Sequence, residues 1–156
     1  MREEVYNYLR EYGFTKEEVY SFEKENEKMF FTNLTEVNKN IDFLINKGLN
    51  KEEVMHVFRK NPFMITVKNN RLTALDKIYI EELSFTKDEL KKLIKDNSGV
   101  YTESPVELKK IIDRMEKLNC SIKTIKEIFL ENPKILDMTI NEFDNIVKFI
   151  KGEYYE

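Results

Sequence analysis

The chain contains few of the residues on which several protein classes depend. It has no tryptophan, one cysteine, one histidine, three prolines and four glycines in 156 residues. Cys120 cannot form an internal disulfide, so we expect a buried cysteine in a reducing compartment. No apolar run approaches the length that spans a membrane. The opening letters MREE are typical of neither a signal peptide nor a transit peptide, so we expect a cytoplasmic protein.

Sequence motifs for catalysis are also missing. His56 is the only histidine, and no second histidine or nearby cysteine accompanies it to make a metal site. The glutamate pairs at 17–18 and 52–53 lie near predicted helix N-termini, where the helix dipole stabilises negative charge without any acid–base role. The chain has no glycine-rich phosphate loop and no nucleophile motif. We therefore predict a protein that is not an enzyme, with no metal, no cofactor and no evident small-molecule substrate.

The chain does have an internal repeat. Its turns between paired helices recur in steps of 35, 36 and 35 residues, and an asparagine at the end of each second helix recurs with the same steps. The turns are Gly13-Phe14, Gly48-Leu49, Ser84-Phe85 and Asn119-Cys120, and the asparagines are Asn26, Asn61, Asn97 and Asn132. Two markers in the same register indicate a repeat architecture.

Apolar residues at helical spacing predict helices throughout, and Thr15, Asn50 and Thr86 each precede a glutamate by three residues, as in a capping box. We predict an all-α fold: a curved α-solenoid of about four ~35-residue helix–helix–short-turn repeats plus a terminal helix, in a single domain over 1–156. The predicted repeats are approximately 1–33, 34–68, 69–103 and 104–138, with a terminal helix at 139–151. The predicted buried faces include Ile80, Leu118, Ile146 and Ile150, whereas Tyr101, Tyr154 and Tyr155 are expected to be freer at the surface.

The second repeat carries a resemblance to a known family. Its pattern runs from Leu44 through Gly48-Leu49 and Glu52-Glu53 to Asn61-Pro62 and Met64-Ile65. This pattern resembles the repeat of the mitochondrial transcription termination factor (mTERF) family. Repeats 2 and 4 match best, whereas repeats 1 and 3 lack the proline and repeats 3 and 4 lack the glycine. The resemblance implies a curved helical solenoid that binds nucleic acid and is not an enzyme. Tetratricopeptide and pentatricopeptide repeats have similar periods and remain alternatives.

The charge balance opposes a simple transfer of that function. The chain has a net charge of −3, and residues 1–28 carry five basic and eight acidic side chains, so the remainder is neutral. Nucleic-acid binding would therefore need a local basic patch. Lys24, Arg59 and Lys95 occupy equivalent positions at the ends of second helices, and Leu130 breaks this column in repeat 4. The candidate phosphate contacts are Lys24, Arg59, Lys60, Arg71, Lys95, Lys109, Lys110 and Arg114.

The candidates also have a purely structural interpretation, because a cation in the last helical turn complements the helix dipole, and lysine and arginine are the usual residues of a solvated surface. An aromatic column of Tyr8, Phe43 and Tyr79, which Arg114 completes, offers base stacking as a second idea, although core packing is the expectation for helical spacing. Two functions follow for the whole chain. One is a nucleic-acid-binding module for DNA or RNA, and the other is a protein-interaction scaffold that holds a peptide or helix in its concave surface.

Overall fold

The structure is a computed structural model that describes residues 1–152, apart from the side chains of residues 150 and 151. In that part of the chain there are ten α-helices and no strand. Contacts group the chain into two compact units, unit 1 from Met1 to Leu72 and unit 2 beginning at Thr73. The helices are α1 (Glu3–Tyr12), α2 (Lys16–Glu25), α3 (Leu34–Asn46), α4 (Lys51–Lys60), α5 (Phe63–Thr66), α6 (Asn69–Lys77), α7 (Lys87–Asp96), α8 (Pro105–Lys117), α9 (Ile122–Glu131) and α10 (Ile140–Lys151).

The helices follow the predicted repeat. Each second helix, α2, α4, α7 and α9, is ten residues long, and each is followed by a single short turn of helix. These turns are Glu27–Phe30, α5, Ser98–Tyr101 and Ile135–Asp137. The predicted all-α class with helical repeats is confirmed, and α10 lies where the terminal helix was expected. The single domain over 1–156 and the curvature stay predictions.

Local hydrogen bonds determine where the second helices begin. The side chains of Thr15, Asn50 and Thr86 each accept a hydrogen bond from the backbone N–H three residues on. The glutamate at that position accepts one from the cap's own N–H in return, at 3.0, 3.0 and 2.9 Å. Each reciprocal pair satisfies two backbone donors that the first helical turn leaves open. The predicted capping boxes are therefore present at all three sites.

The turns between paired helices need a left-handed or similar backbone. Gly13 and Gly48 have φ of 129° and 95° there, and Ser84 and Asn119 adopt φ of 57° and 62° in the repeats that lack glycine. Asparagine tolerates this conformation better than most residues because its side chain can bond locally. The glycine is therefore replaceable in this turn, which explains why the repeat continues without it.

Asparagine side chains join neighbouring repeats within each unit. Asn26 is fully buried, and its Nδ2 donates to the Pro62 carbonyl at 3.1 Å and to the Thr66 hydroxyl at 2.9 Å. In unit 2 the Nδ2 of Asn97 donates to the Pro133 carbonyl in the same way. The asparagine of one repeat thus satisfies the backbone of the next repeat's Asn-Pro turn. This contact gives a reason for the asparagine in repeats 1 and 3, whereas Asn132 in repeat 4 donates to the Ile128 carbonyl of its own helix.

Several predictions about burial are wrong. Ile80 is 44% exposed because residues Ile78–Glu82 form a π-helical turn, whose extra residue rotates it away from the core. Tyr101 is fully buried, because the short turn that carries it packs inward. Leu118, which directly follows the last residue of α8, and Ile146, in the middle of α10, are only half-buried. The expectations for Ile150, Tyr154 and Tyr155 fall outside the described residues.

Candidate nucleic-acid interface

The eight predicted phosphate contacts divide equally between the two units. Each side chain is exposed except that of Arg71, which is half-buried. Unit 1 holds Lys24, Arg59, Lys60 and Arg71, and unit 2 holds Lys95, Lys109, Lys110 and Arg114.

In unit 1, the C-terminal ends of α2 and α4 lie side by side. The hydrogen bonds from Asn26 to Pro62 and Thr66 hold them there. Lys24 lies two residues before that asparagine, and Lys60 lies two residues before that proline, so both cations lie at the same edge. We call residues 24–31 and 59–71 the short-turn edge. This edge also includes Arg59 and Arg71, and it is the one place where the structure brings predicted contacts from different repeats together within unit 1.

The net positive charge of the short-turn edge comes from one continuous stretch, because residues 24–31 carry two lysines and two glutamates. Residues 54–75 carry four cations, Arg59, Lys60, Lys68 and Arg71, and no acidic residue. Lys68 was absent from the predicted set, although the lack of any acid between Glu53 and Asp76 was a signal for it. Its side chain is 74% exposed and lies 3.9 Å from the Glu36 carboxylate, which is a weak surface pair. A chain with a net negative charge therefore has a local cationic segment.

Arg59 has a structural partner as well. Its Nε donates to the Glu18 carboxylate on α2, and its guanidinium carbon lies 5.4 Å from the centroid of the Phe14 ring. Glu18 also accepts the N–H of Thr15 in the capping box. The Arg59 hydrogen bond, followed by that of Thr15, holds the pKa of Glu18 below its usual value. Arg59 therefore links repeat 2 to repeat 1.

Unit 2 contains the same arrangement of cation, glutamate and aromatic ring. Lys126 Nζ lies 2.9 Å from Glu89 Oε1 and 5.6 Å from the Phe85 ring centroid, and it donates to the Ser84 carbonyl at 2.9 Å. Burial raises the pKa of Glu89, but the hydrogen bonds from Lys126 and Thr86 outweigh it, so the pKa is lowered overall. Phe85 and Glu89 occupy the same repeat positions as Phe14 and Glu18.

The cation in unit 2 comes from a different position of the repeat. Lys126 aligns with Met55, whereas Arg59 aligns with Leu130, four residues later in the helix. Residues four apart lie on the same helix face, so either position can reach the glutamate. Repeat 4 has Leu130 where repeat 2 has Arg59, and Lys126, one helical turn earlier, supplies the cation instead. Comparing equivalent positions of the repeats could not show this.

The remaining candidates of unit 2 lie among acids. Arg114 makes two hydrogen bonds to Asp144 of α10, at 3.2 and 2.7 Å, which raise the pKa of Arg114 and lower that of Asp144. Lys110 pairs with Glu107 at 3.2 Å, and Lys109 is exposed beside it on α8. Lys95 lies on an α7 surface with Lys91, Lys92, Asp88 and Asp96. Unit 2 therefore has mixed charge around its candidates.

The aromatic residues of the predicted column are half-buried or buried, so they mostly serve packing, as expected. Tyr8 and Phe43 are half-buried, and Tyr79 is fully buried with its hydroxyl donating to the Val100 carbonyl at 2.7 Å. Tyr101 donates its hydroxyl to Asp76 Oδ1 at 2.7 Å, and burial raises the pKa of both buried tyrosines well above the usual value. Other aromatic rings are exposed, and three of them, Phe30, Phe31 and Phe63, lie on the short-turn edge. Sequence reasoning missed these three rings.

His56 is exposed on α4, and within residues 1–152 no three or more His, Cys, Asp or Glu side chains group so as to hold a metal ion. None of the helices in the described part of the chain combines the length and apolar character that a membrane span requires.

Comparison with known proteins supports the family that the repeat pattern indicates. Comparison with curated proteins gave no match. A family model described as mTERF matches residues 1–102, which is more than half of the chain and ends with the third predicted repeat. Proteins of this family are generally non-catalytic and bind nucleic acid. The matched region includes the whole short-turn edge. The chain therefore belongs to the mTERF family.

Proposed function

We propose that this protein binds nucleic acid, without catalysis, through phosphate contacts at the short-turn edge of unit 1. The observation that carries the proposal is the stretch 54–75, with four cations and no acid in a chain whose net charge is −3. Phosphate neutralisation releases condensed counterions, so a few clustered cations supply affinity even when the whole protein is not basic. The acidic N-terminal helices would repel the same strand and so restrict how it lies.

The cations have different parts in this proposal. Lys60 and Lys68 are exposed at the edge and are the principal contacts, with Lys24 beside them. Arg59 and Arg71 are secondary, because Arg59 is already paired with Glu18 and Arg71 is half-buried. In unit 2, Lys95 and Lys109 are further exposed candidates, and a strand that used Lys110 or Arg114 would compete with Glu107 or Asp144.

The test is fluorescence anisotropy with labelled single- and double-stranded DNA and RNA. Because each phosphate contact steepens the salt dependence, wild-type affinity should fall by at least tenfold between roughly 50 and 200 mM salt. The double variant Lys60→Glu/Lys68→Glu should bind at least about tenfold more weakly at 50 mM, and its salt slope should fall by about two.

The matched control reverses two exposed lysines of unit 2, Lys117→Glu/Lys123→Glu, and changes the net charge by the same amount. Under the proposal the control loses much less affinity than the edge variant. Equal losses in both double variants would mean that the protein responds to total charge and that the short-turn edge is not the binding site.

A protein-interaction scaffold is the second candidate, and one surface of unit 2 favours it. A shallow groove of about 350 Å³ lies between the Ser84 turn and α9, with mixed charge around the exposed side chain of Ile122. Such a surface suits a peptide or helix with one apolar side chain. If wild-type protein binds none of the four nucleic acids at 50 mM salt, a peptide-library screen should yield ligands whose binding Ile122→Lys abolishes.

A further inference from the structure

Three phenylalanine rings of unit 1 are left exposed at the short-turn edge. Phe31 is 83% exposed, Phe30 is 50% exposed and Phe63 is 47% exposed. Phe30 and Phe31 end the turn after α2, and Phe63 begins α5, so the rings belong to two neighbouring short segments. Scattered exposed apolar residues are normal in proteins, but several large rings gathered on adjoining segments mark a contact surface.

Buried polar contacts hold these segments in place beneath the rings. Asn26 ties the first segment to the Pro62 carbonyl, which directly precedes Phe63. Asn40 is fully buried on α3, and its Nδ2 donates to the carbonyls of Met64, Ile65 and Val67 at 3.3, 3.0 and 2.9 Å. The exposed rings therefore stand on a backbone that needs no ordering before a ligand binds, which lowers the entropic cost of binding.

The charge beside the rings indicates the chemistry of the partner. Lys60 lies three residues before Phe63 and Lys68 lies five residues after it, within the stretch that lacks any acid. On the first segment, Lys28 is exposed one turn before Phe31, and Glu25 and Glu27 balance Lys24 and Lys28, so the cationic excess lies on the side of Phe63. An apolar protein partner would gain little from this row of cations, whereas a polyanion with flat apolar groups matches both features. Unpaired bases on a phosphate backbone have that combination.

We infer that the short-turn edge stacks unpaired bases of a single-stranded nucleic acid on Phe31 and Phe63, while Lys60 and Lys68 contact the flanking phosphates. This inference rests on the proposed function and adds the class of ligand. In a duplex the base faces are covered by neighbouring bases, so a ring can stack only on a strand that is unpaired. Every base has such a face, so binding is tolerant of sequence. DNA and RNA single strands share this chemistry, and the test includes both.

The experiment uses the full chain and four labelled probes of about 15 nucleotides in anisotropy titrations. The probes are a DNA strand, an RNA strand, the DNA duplex and an abasic DNA strand that keeps the phosphates. Wild type should bind both single strands more tightly than the duplex or the abasic strand. Phe31→Ala/Phe63→Ala should weaken single-strand binding by at least about thirtyfold, because two stacked bases are lost, and should leave abasic binding and the salt slope unchanged.

The matched control is Phe149→Ala, which removes a phenylalanine of unit 2 that is 54% exposed. Its affinity for every probe should equal that of wild type. If wild type binds normal and abasic strands equally and Phe31→Ala/Phe63→Ala changes nothing, the stacking inference is wrong while phosphate binding stands. If wild type binds no probe at 50 mM salt, the proposed function is wrong and the inference falls with it, leaving a protein partner for the exposed rings.

Discussion

Arg59 of α4 donates its Nε–H to Glu18 of α2, 41 residues earlier in the chain. This contact joins a cation that sequence reasoning predicted as a phosphate ligand to the glutamate that caps the second helix of the preceding repeat. Charge reversal at Arg59 would therefore alter stability as well as any ligand contact. Lys60 and Lys68 are exposed and take no part in this hydrogen bond, so changing them tests nucleic-acid binding while the Arg59–Glu18 contact stays in place.

Removing the charge of Arg59 should destabilise unit 1. Arg59→Gln loses a partly exposed ion pair and a cation–π contact with Phe14, and the combined loss should lower the free energy of unfolding by about 0.5–2 kcal/mol. Urea denaturation followed by circular dichroism measures the change. Lys24→Gln is the control, because it lies at the equivalent position of repeat 1, and it should change stability by less than about 0.5 kcal/mol. Equal effects would show that the Arg59 contacts contribute nothing.

The same ion pair should make the free energy of unfolding depend on pH in the acid range. The Arg59 hydrogen bond lowers the pKa of Glu18 in the folded protein, so the folded state binds fewer protons than the unfolded state as this group titrates. The stability that it contributes is full above the ordinary glutamate pKa of about 4.3 and is lost as the pH falls through the lower folded value.

Arg59→Gln should remove much of that lowering. Carboxyl titration by NMR should therefore show the pKa of Glu18 rising toward its ordinary value in the variant. Wild type and variant should also differ in stability at pH 7 more than at pH 3. A Glu18 titration that is the same in both proteins would contradict this assignment of the pKa shift.

The buried side chain of Asn26 should be more important for stability than its size suggests. Asn26→Ala leaves the Pro62 carbonyl and the Thr66 hydroxyl without their donor in a buried place, at a cost of about 1–3 kcal/mol. Thermal and urea unfolding measure this loss. Asn7→Ala, on the exposed face of α1, should be neutral or slightly stabilising, because alanine favours helix. A loss no larger than that of the control would rule out a stabilising role for these hydrogen bonds.

The cation of α9 that contacts Glu89 and Phe85 should stabilise unit 2 from either position 126 or position 130. Lys126→Met should lower the free energy of unfolding by about 0.5–2 kcal/mol, because the contacts with Glu89 and Phe85 are lost. Adding Leu130→Arg to that variant places a cation where Arg59 lies in repeat 2, and it should recover at least half of the loss. Urea denaturation gives the free energy of unfolding of the single and double variants, and the comparison tests whether the stability is recovered. A double variant that is less stable than Lys126→Met would show that the two positions do not substitute for each other.

Local chemistry made the helices predictable. The hydrogen bonds that begin α2, α4 and α7 join residues only three apart, so Thr15, Asn50 and Thr86 mark those helix starts in the sequence itself. The period of the asparagines likewise predicted the repeats, and the resemblance to the mTERF family followed from the same residues. The wrong predictions at Ile80 and Tyr101 arose where a π-helical turn or an inward-packed short turn changed which face was buried.

The sequence by itself determined the all-α class, the ~35-residue repeat and the family, because these depend on apolar spacing and on contacts within a few residues. Only the tertiary structure decided which cations are engaged and which aromatic rings are exposed. Arg59 and Lys126 fill equivalent roles from non-equivalent positions, and Phe31 is 83% exposed while Phe14 is buried. These outcomes depend on how helices more than 35 residues apart in sequence pack together, and no local pattern encodes that geometry.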